Sequence, residues 1–145
     1  MIQVHGTCVE VGGLAVLLRG PPGSGKSDLA LRLIDRGARL VADDRVDLRS
    51  RGKKLIASAP QPIAGRIEVR GLGIVEVSAV AEARLALVVD LVASGGAERM
   101  PDPAACDFLG IEVRRIELAP FEASAAAKVR MATRSLAHPP AEAAL

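Results

Sequence analysis

The chain has 145 residues, enough for one domain with a buried core. Half of the residues are hydrophobic, only Phe108 and Phe121 are aromatic, and the formal net charge is +2. This composition argues against a nucleic-acid partner, because such proteins usually present a basic surface and often aromatic rings that stack on bases.

Two further features exclude a membrane protein and a secreted disulfide scaffold. No apolar run reaches the roughly 18 residues of a membrane helix, and the N-terminus has no basic region or cleavage site typical of a signal peptide. Cys8 and Cys106 are the only cysteines, which suits a reducing compartment. We therefore expect a cytoplasmic protein with no membrane partner.

The pattern of apolar residues predicts an α/β chain. Strands are predicted at residues 2–4, 7–11, 14–18, 39–42, 85–91 and 111–118, a hairpin at 46–50 and 54–58, and an extended segment at 66–77 interrupted at 71–73. Helices are predicted at 28–36, ending before Gly37, and at 124–136. Residues 1–136 are the expected domain, and 137–145 are expected to form a disordered tail.

A phosphate-binding loop is predicted between the third strand and the first helix. The segment is Gly20-Pro21-Pro22-Gly23-Ser24-Gly25-Lys26-Ser27, which matches G-x-x-x-x-G-K-[ST] at every fixed position. Glycines let several backbone N–H groups point at one anion, and the helix N-terminus adds partial positive charge. Lys26 suits the outer phosphates and Ser27 suits Mg²⁺.

The alternative for this segment is a glycine turn before a helix, with Lys26 merely solvated. The buried strand before it and the amphipathic helix after it favour the phosphate loop. A nucleoside triphosphate or a related phosphate compound is the predicted ligand.

Asp43 and Asp44 end the strand that follows the first helix. Ligands of parallel α/β sheets lie outside the carboxyl ends of the strands, so a parallel strand here would bring both carboxylates to the phosphate loop. They could then hold a metal or accept a proton from a hydroxyl substrate. A solvated acidic turn is the alternative, which we regard as weaker because of the nearby loop. For His5, position alone favours a structural or surface role.

The ordered set of motifs resembles the catalytic domain of bacterial HPr kinase/phosphorylase, a family that phosphorylates a serine of the phosphocarrier protein HPr. The set comprises Val4-His5-Gly6, the phosphate loop, Leu40-Val41-Ala42-Asp43-Asp44 and Ile67-Glu68-Val69-Arg70-Gly71-Leu72-Gly73-Ile74, with weaker matches through Glu98-Arg99-Met100. The resemblance implies a kinase core of the type shared with phosphoenolpyruvate carboxykinase, with a mixed sheet and flanking helices.

The resemblance also implies a role for each matching residue. His5 matches an active-site histidine, Lys26 the loop lysine, and the pair Asp43 and Asp44 the source of the catalytic base. Ser27 and Glu68 match Mg²⁺ ligands, and Arg99 matches an active-site arginine. ATP, Mg²⁺, an HPr-type substrate and a homo-oligomer, hexameric in the family, follow as expectations. Composition and spacing alone would not have selected Glu68 or Arg99.

The chain departs from the family pattern at its N-terminus, in the short segment 76–82 after the Gly-Leu-Gly motif, and after the last predicted strand. It begins close to the histidine motif, as in the short form that lacks the family's additional N-terminal domain. Residues 119–125 contain neither arginine nor glycine, whereas the long enzymes carry both there in a loop linked to phosphorolysis of phosphoserine-HPr. The sequence therefore predicts a kinase with weak or absent phosphorylase activity.

Three other functions remain open. A small-molecule kinase usually adds an arginine-rich lid, for which only the segment near Arg99 is a candidate. A non-catalytic module could use Asp43, Asp44 and Glu68 to hold Mg²⁺ without phosphoryl transfer. A reaction like that of phosphoenolpyruvate carboxykinase needs a substrate domain for which this chain has no room.

Overall fold

The computed structural model describes residues 1–137, apart from the side chain of Pro62. Its strands are β1 (Ile2–His5), β2 (Thr7–Val11), β3 (Leu14–Arg19), β4 (Arg39–Ala42), β5 (Arg45–Arg51), β6 (Lys54–Ser58), β7 (Arg66–Val69), β8 (Gly73–Glu76), β9 (Glu82–Leu91), β10 (Ala104–Phe108) and β11 (Ile111–Leu118). The helices are α1 (Lys26–Asp35) and α2 (Ala125–Ala137), and a single 3₁₀ turn covers Gln61–Ile63.

Within the described residues, nine strands form one mixed sheet, and β7 and β8 form a separate hairpin. The order in the large sheet is β1-β5-β6-β9-β3-β2-β4, with β11 also paired to β9 and β10 paired to β11. β3 and β11 lie parallel to β9, and β4 points the same way as β3 because both are antiparallel to β2. The carboxyl ends of β3, β4, β9 and β11 therefore point in the same direction. This is the arrangement that would bring Asp43 and Asp44, at the end of β4, to the side of the phosphate loop.

β1 pairs antiparallel with β5, and β2 pairs antiparallel with β4. Because β1 continues into β2 and β4 continues into β5, these four strands form one bent two-stranded ribbon. Ile2 lies opposite Leu48 and His5 opposite Arg45, and beyond the bend Cys8 lies opposite Ala42. At the bend itself, the Gly6 N–H donates a 3.1 Å hydrogen bond to the Asp44 carbonyl. A Cβ on Gly6 would lie 2.7 Å from the Leu18 carbonyl oxygen, so only glycine fits here.

The sheet buries both of its faces. One core cluster places α1, α2 and β7 against the sheet, and its members include Leu29, Leu33 and Val129. The second cluster joins β2 and β4 to β5 and β6, because the sheet curls on itself. β3 alternates between the two, with Val16 and Leu18 in the first cluster and Leu17 in the second. Burial on both faces explains the continuous apolar runs of the sequence.

The predicted elements are largely confirmed, with two corrections. α1 begins at Lys26 rather than at residue 28, because the end of the phosphate loop already forms its first turn. β10 was not predicted, since its alternation of apolar and polar residues is short and follows a proline-rich stretch. The predicted tail lies outside the described residues except for Ala137, the last residue of α2. No helix within residues 1–137 is both long and apolar enough to cross a membrane.

Candidate functional site

The phosphate loop leaves the carboxyl end of β3 and enters α1 without a side-chain cap. Gly25 is the N-cap residue, with φ 104°, and no side chain of residues 1–137 accepts from the first N–H groups of the helix. The Leu29 N–H donates to the Gly25 carbonyl, so the three N–H groups before it have no partner within the helix. Uncapped N–H groups together with the helix dipole favour an anion at this point.

Lys26 is held inside the curl of the loop. Its Nζ donates hydrogen bonds to the carbonyl oxygens of Gly20, at 2.5 Å, and Pro21, at 3.2 Å. Ser27 follows in the first turn of α1 and is partly buried. The loop therefore brings an ammonium group, a hydroxyl and unpaired backbone donors together at one end of β3.

The bent ribbon brings Asp43 and Asp44 to the histidine motif. His5 pairs with Arg45, and the next pair across the bend is Gly6 with Asp44. Asp44 is exposed and has φ 70°, an uncommon conformation for a residue with a side chain. His5 is also exposed. The fold thus places His5, Asp43 and Asp44 at one corner.

Asp43 is the most firmly positioned of these groups. The buried Thr7 hydroxyl donates to Asp43 Oδ1 at 2.9 Å, and the Glu68 backbone N–H donates to Asp43 Oδ2 at 3.1 Å. Thr7 also pairs with Leu18, which lies two residues before Gly20, the first residue of the phosphate loop. Asp43 follows β4, which pairs with β2, and β2 pairs with β3. The Asp43 backbone therefore lies two strand spacings, about 10 Å, from the strand that carries the loop.

Glu68 joins this corner through β7. Ile67 and Val69 are buried beneath the hairpin, so the Glu68 side chain between them is exposed. Its backbone N–H holds Asp43, which fixes where β7 passes the acidic pair. Glu68 therefore lies beside Asp43, although its sequence position alone gave no reason to select it.

The protein oxygen atoms near the loop suit a Mg²⁺ ion that takes most of its other ligands from water and from the phosphates of a substrate. Within residues 1–137, no cluster of three or more His, Cys, Asp or Glu side chains could hold a metal by itself. Mg²⁺ usually keeps several waters and takes one or two protein oxygens together with phosphate oxygens. The Ser27 hydroxyl and the carboxylates of Asp43 and Glu68 are hard oxygen ligands of this kind, so the residues fit the ion.

Arg99 is the predicted residue with the fewest ties to the others within the described residues. It is exposed in the segment between β9 and β10, and among residues 1–137 neither a hydrogen bond nor an ion pair links it to the phosphate loop. The structure therefore brings His5, Asp43, Asp44 and Glu68 to one corner with the phosphate loop beside it, and among residues 1–137 no hydrogen bond or ion pair links Arg99 to this group.

Asp90 is an acidic residue that the sequence analysis missed. It lies at the carboxyl end of β9, paired with Arg19 on β3 and with Glu117 on β11. Arg19 binds both carboxylate oxygens, at 2.7 and 2.9 Å, and Arg115 binds Oδ2. Partial burial raises the pKa of Asp90, but hydrogen bonds from Arg19 and Arg115 outweigh it and hold the pKa below its usual value.

The partners of Asp90 indicate a structural role. Arg19 directly precedes Gly20, so the pair Arg19–Asp90 anchors the point where the phosphate loop leaves the sheet. The sequence signal was an aspartate at the end of the apolar run 85–89. Its arginine partners lie 71 and 25 residues away in the chain, so spacing could not reveal them.

Several curated proteins similar to this chain are HPr kinase/phosphorylases. An HPr kinase/phosphorylase of Caldanaerobacter subterraneus subsp. tengcongensis is 42% identical over 125 residues, covering 83% of this chain and 40% of the relative. One of Geobacillus thermodenitrificans is 39% identical over 127 residues, covering 82% and 39%. The chain thus spans about two-fifths of the length of these curated relatives, and a quarter of one from Clostridium tetani.

A solved structure agrees in fold. The Hpr(Ser) kinase/phosphatase from Coxiella burnetii superposes with a TM-score of 0.83 at 28% identity, over 93% of this chain and 95% of that one. The P-loop kinase core predicted from the sequence is thereby confirmed. The family model described as HPr Serine kinase C-terminal domain matches residues 1–129. The chain therefore belongs to the family of the HPr serine kinase C-terminal domain.

Proposed function

We propose that residues 1–136 form a catalytic domain that transfers the γ-phosphoryl group of Mg²⁺-ATP to a serine hydroxyl of an HPr-type phosphocarrier protein. The observation that carries this proposal is the position of Asp43. Its carboxylate is oriented by the Thr7 hydroxyl and the Glu68 N–H, at the same edge of the sheet as the phosphate loop. The family relationship supports the choice of substrate.

Asp43 is the proposed general base. A carboxylate has about four lone-pair positions, so the two hydrogen bonds that orient Asp43 leave others free to accept a proton. As the serine oxygen attacks the γ-phosphorus, Asp43 takes the hydroxyl proton, the bond between γ-phosphorus and the bridging oxygen breaks, and ADP leaves. Such a base typically contributes a factor of about 10²–10⁴. Asp44 and His5 complete the acidic corner beside it.

The remaining groups align the triphosphate and neutralise its charge. The uncapped N–H groups of α1 and the Lys26 ammonium bind the phosphate oxygens. Ser27 and Glu68 are the proposed protein ligands of Mg²⁺, which withdraws charge from the transferred phosphoryl group. The role of Arg99 at this group rests on the family resemblance alone.

The reverse reaction is proposed to be weak. Phosphorolysis needs a site for a free phosphate beside the phosphoserine, and segment 119–125 offers no arginine or glycine for it. Its carbonyls instead accept hydrogen bonds from Arg32 of α1, at Pro120 and at Glu122. Phosphate-dependent loss of the phosphoryl group from phosphoserine-HPr, at a rate comparable to its addition, would contradict this part of the proposal.

Two coarser expectations accompany the reaction. We propose a cytoplasmic protein, consistent with two free cysteines in a chain of this fold. We also propose a homo-oligomer, hexameric as in the family. The mass of the native particle, measured by light scattering or mass photometry, tests the second expectation, and a monomer at micromolar concentration would contradict it.

The experiment mixes the pure protein with Mg²⁺-ATP and the HPr of the organism that carries this chain, and measures the intact mass of HPr. We expect a gain of one phosphoryl group that is stable in acid, as for phosphoserine. The Asp43→Asn variant should add this group about 10²- to 10⁴-fold more slowly while still binding ATP. If the unaltered protein binds ATP but HPr gains no mass, the protein has another substrate or is a nucleotide-binding module.

A further inference from the structure

An apolar cleft adjoins the phosphate loop on the side opposite Asp43. It has a volume of about 270 Å³. Its lining residues come from the loop, the end of β9 and the segment after β11: Pro21, Gly23, Ser24, Leu91, Val92, Ala93, Ser94, Ala119, Pro120 and Phe121. Among residues 1–137, no charged side chain lines the cleft, and only Ser24 and Ser94 contribute a polar side chain.

The sheet order places this cleft and the acidic corner on opposite sides of the loop. The loop follows β3, whose neighbours are β2 on one side and β9 on the other. β2 and β4 carry the acidic corner, whereas β9 and β11 lead into the cleft. A nucleoside triphosphate whose γ-phosphate faces Asp43 therefore extends its other end toward the cleft.

We propose that this cleft binds the purine base of the nucleotide, with the ring of Phe121 as one wall. The inference rests on the proposed function only in that a nucleoside triphosphate occupies the phosphate loop. Binding sites for such groups are mostly apolar with a few polar atoms, as this cleft is. With only two aromatic residues, the composition gives little reason to expect aromatic stacking on a base. Composition cannot show that one of these two rings, Phe121, lies beside the phosphate loop.

Phe121 is held in place although it is 69% exposed. The Arg32 side chain of α1 donates to the backbone carbonyls of its two neighbours, Pro120 and Glu122. A Cβ on Gly25 would lie 2.9 Å from both the Phe121 ring and Pro120, so the loop passes directly against this segment. An exposed aromatic ring fixed at the edge of a cleft loses little freedom when a flat ligand stacks on it.

The lining also predicts weak selectivity between purines. Guanine is usually distinguished by a carboxylate that accepts from its ring N–H and amino groups, and within the described part of the chain no acidic side chain lines this cleft. Apolar contact and stacking are similar for adenine and guanine. ATP and GTP should therefore bind with affinities within about tenfold of each other.

The test compares ATP with inorganic tripolyphosphate, which has the phosphates but no base. Phe121→Ala should weaken ATP binding roughly 5- to 100-fold, the range expected for loss of one stacking ring. Tripolyphosphate binding should stay within about twofold, because the loop itself is unchanged. Met131→Ala is the matched control, since Met131 is 66% exposed on α2 and lies outside the cleft; it should change neither affinity.

A second variant reports binding directly. The chain has no tryptophan, so Phe121→Trp introduces a single fluorophore at the cleft. Its emission should be quenched by ATP and GTP but not by tripolyphosphate. Equal loss of ATP and tripolyphosphate affinity in Phe121→Ala would show that the ring only supports the loop, and unchanged affinity for ATP would place the base elsewhere. Either result overturns the proposal, and neither depends on whether HPr is the phosphoryl acceptor.

Discussion

The two sides of the phosphate loop both carry carboxylates at strand ends, yet their chemistry differs. Among residues 1–137, the carboxylates of Asp43, Asp44 and Glu68 have no basic partner, so they are available to a proton or a metal. Asp90, on the other side, is bound by Arg19 and Arg115. An acidic residue beside a phosphate loop is thus not enough to assign a role, because its partners decide whether it can react.

The largest effect is expected from Asp43→Asn. The amide can still accept from the Thr7 hydroxyl but cannot take a proton, so phosphoryl transfer should fall about 10²- to 10⁴-fold. ATP affinity should change less than about threefold, because the nucleotide is bound by the loop. Single-turnover kinetics and equilibrium binding of ATP separate the two quantities.

Two variants complete this comparison. Asp44→Asn tests the exposed member of the pair, whose side chain has no orienting hydrogen bond within residues 1–137, and should reduce transfer less. Asp35→Asn, at the exposed end of α1, is the matched control and should leave the rate unchanged. Loss of ATP binding in Asp43→Asn, with folding intact, would instead indicate a carboxylate that only holds the metal.

The next effect in size concerns Gly25→Ala, which changes the loop between the two sides. Gly25 has φ 104°, where an alanine is strained by about 1–2 kcal/mol, and its methyl group would collide with Pro120 and Phe121. We expect ATP and tripolyphosphate to weaken together, by more than about tenfold. Isothermal titration of both compounds measures this, and selective loss of ATP alone would mean that Gly25 serves the base cleft rather than the phosphates.

Part of the candidate site could be predicted from the sequence, and part of it could not. The loop, Asp43 and Asp44 were predicted because adjacent residues in one segment create their chemistry. Glu68 and His5 required the family resemblance, since only the bent ribbon and the β7 hairpin bring them to Asp43. Asp90 and Phe121 were missed because their partners, Arg19, Arg115 and the loop, meet them only through the parallel pairing of β3, β9 and β11.

Asp90→Asn tests the role of the ion-paired carboxylate through the stability of the protein. Removing the charge leaves two arginines with a weakened partner, and we expect a loss of about 1–3 kcal/mol in the free energy of unfolding at neutral pH. Because the pKa of Asp90 is lowered in the folded protein, its contribution is fully present above about pH 4 and lost as the pH falls through the folded-state pKa.

Urea denaturation across pH measures this effect. The difference between the unaltered protein and Asp90→Asn should shrink as the pH falls below about 4. Glu82→Gln is the matched control, since the ion pairs of Glu82 with Arg49 and Arg51 lie on an exposed surface and should contribute little. A difference that stays constant down to low pH would mean that packing, rather than charge, accounts for the effect of Asp90→Asn.

The smallest expected effect comes from the two thiols, one on each side of the loop. Cys8 on β2 is fully buried, and burial raises the pKa of its thiol, so it should resist alkylation until the protein unfolds. Cys106 on β10 is partly exposed, and its Sγ lies 3.3 Å from the Arg19 guanidinium. Iodoacetamide should therefore add one group to the native protein, at Cys106, as intact mass and peptide mapping would report.

Modification of Cys106 should leave ATP binding almost unchanged. Because Arg19 keeps both bonds to Asp90, ATP affinity should change less than about twofold. A larger loss after modification of Cys106 alone would mean that this thiol helps to position the loop, and the cleft side would then depend on Cys106 as well as on Asp90.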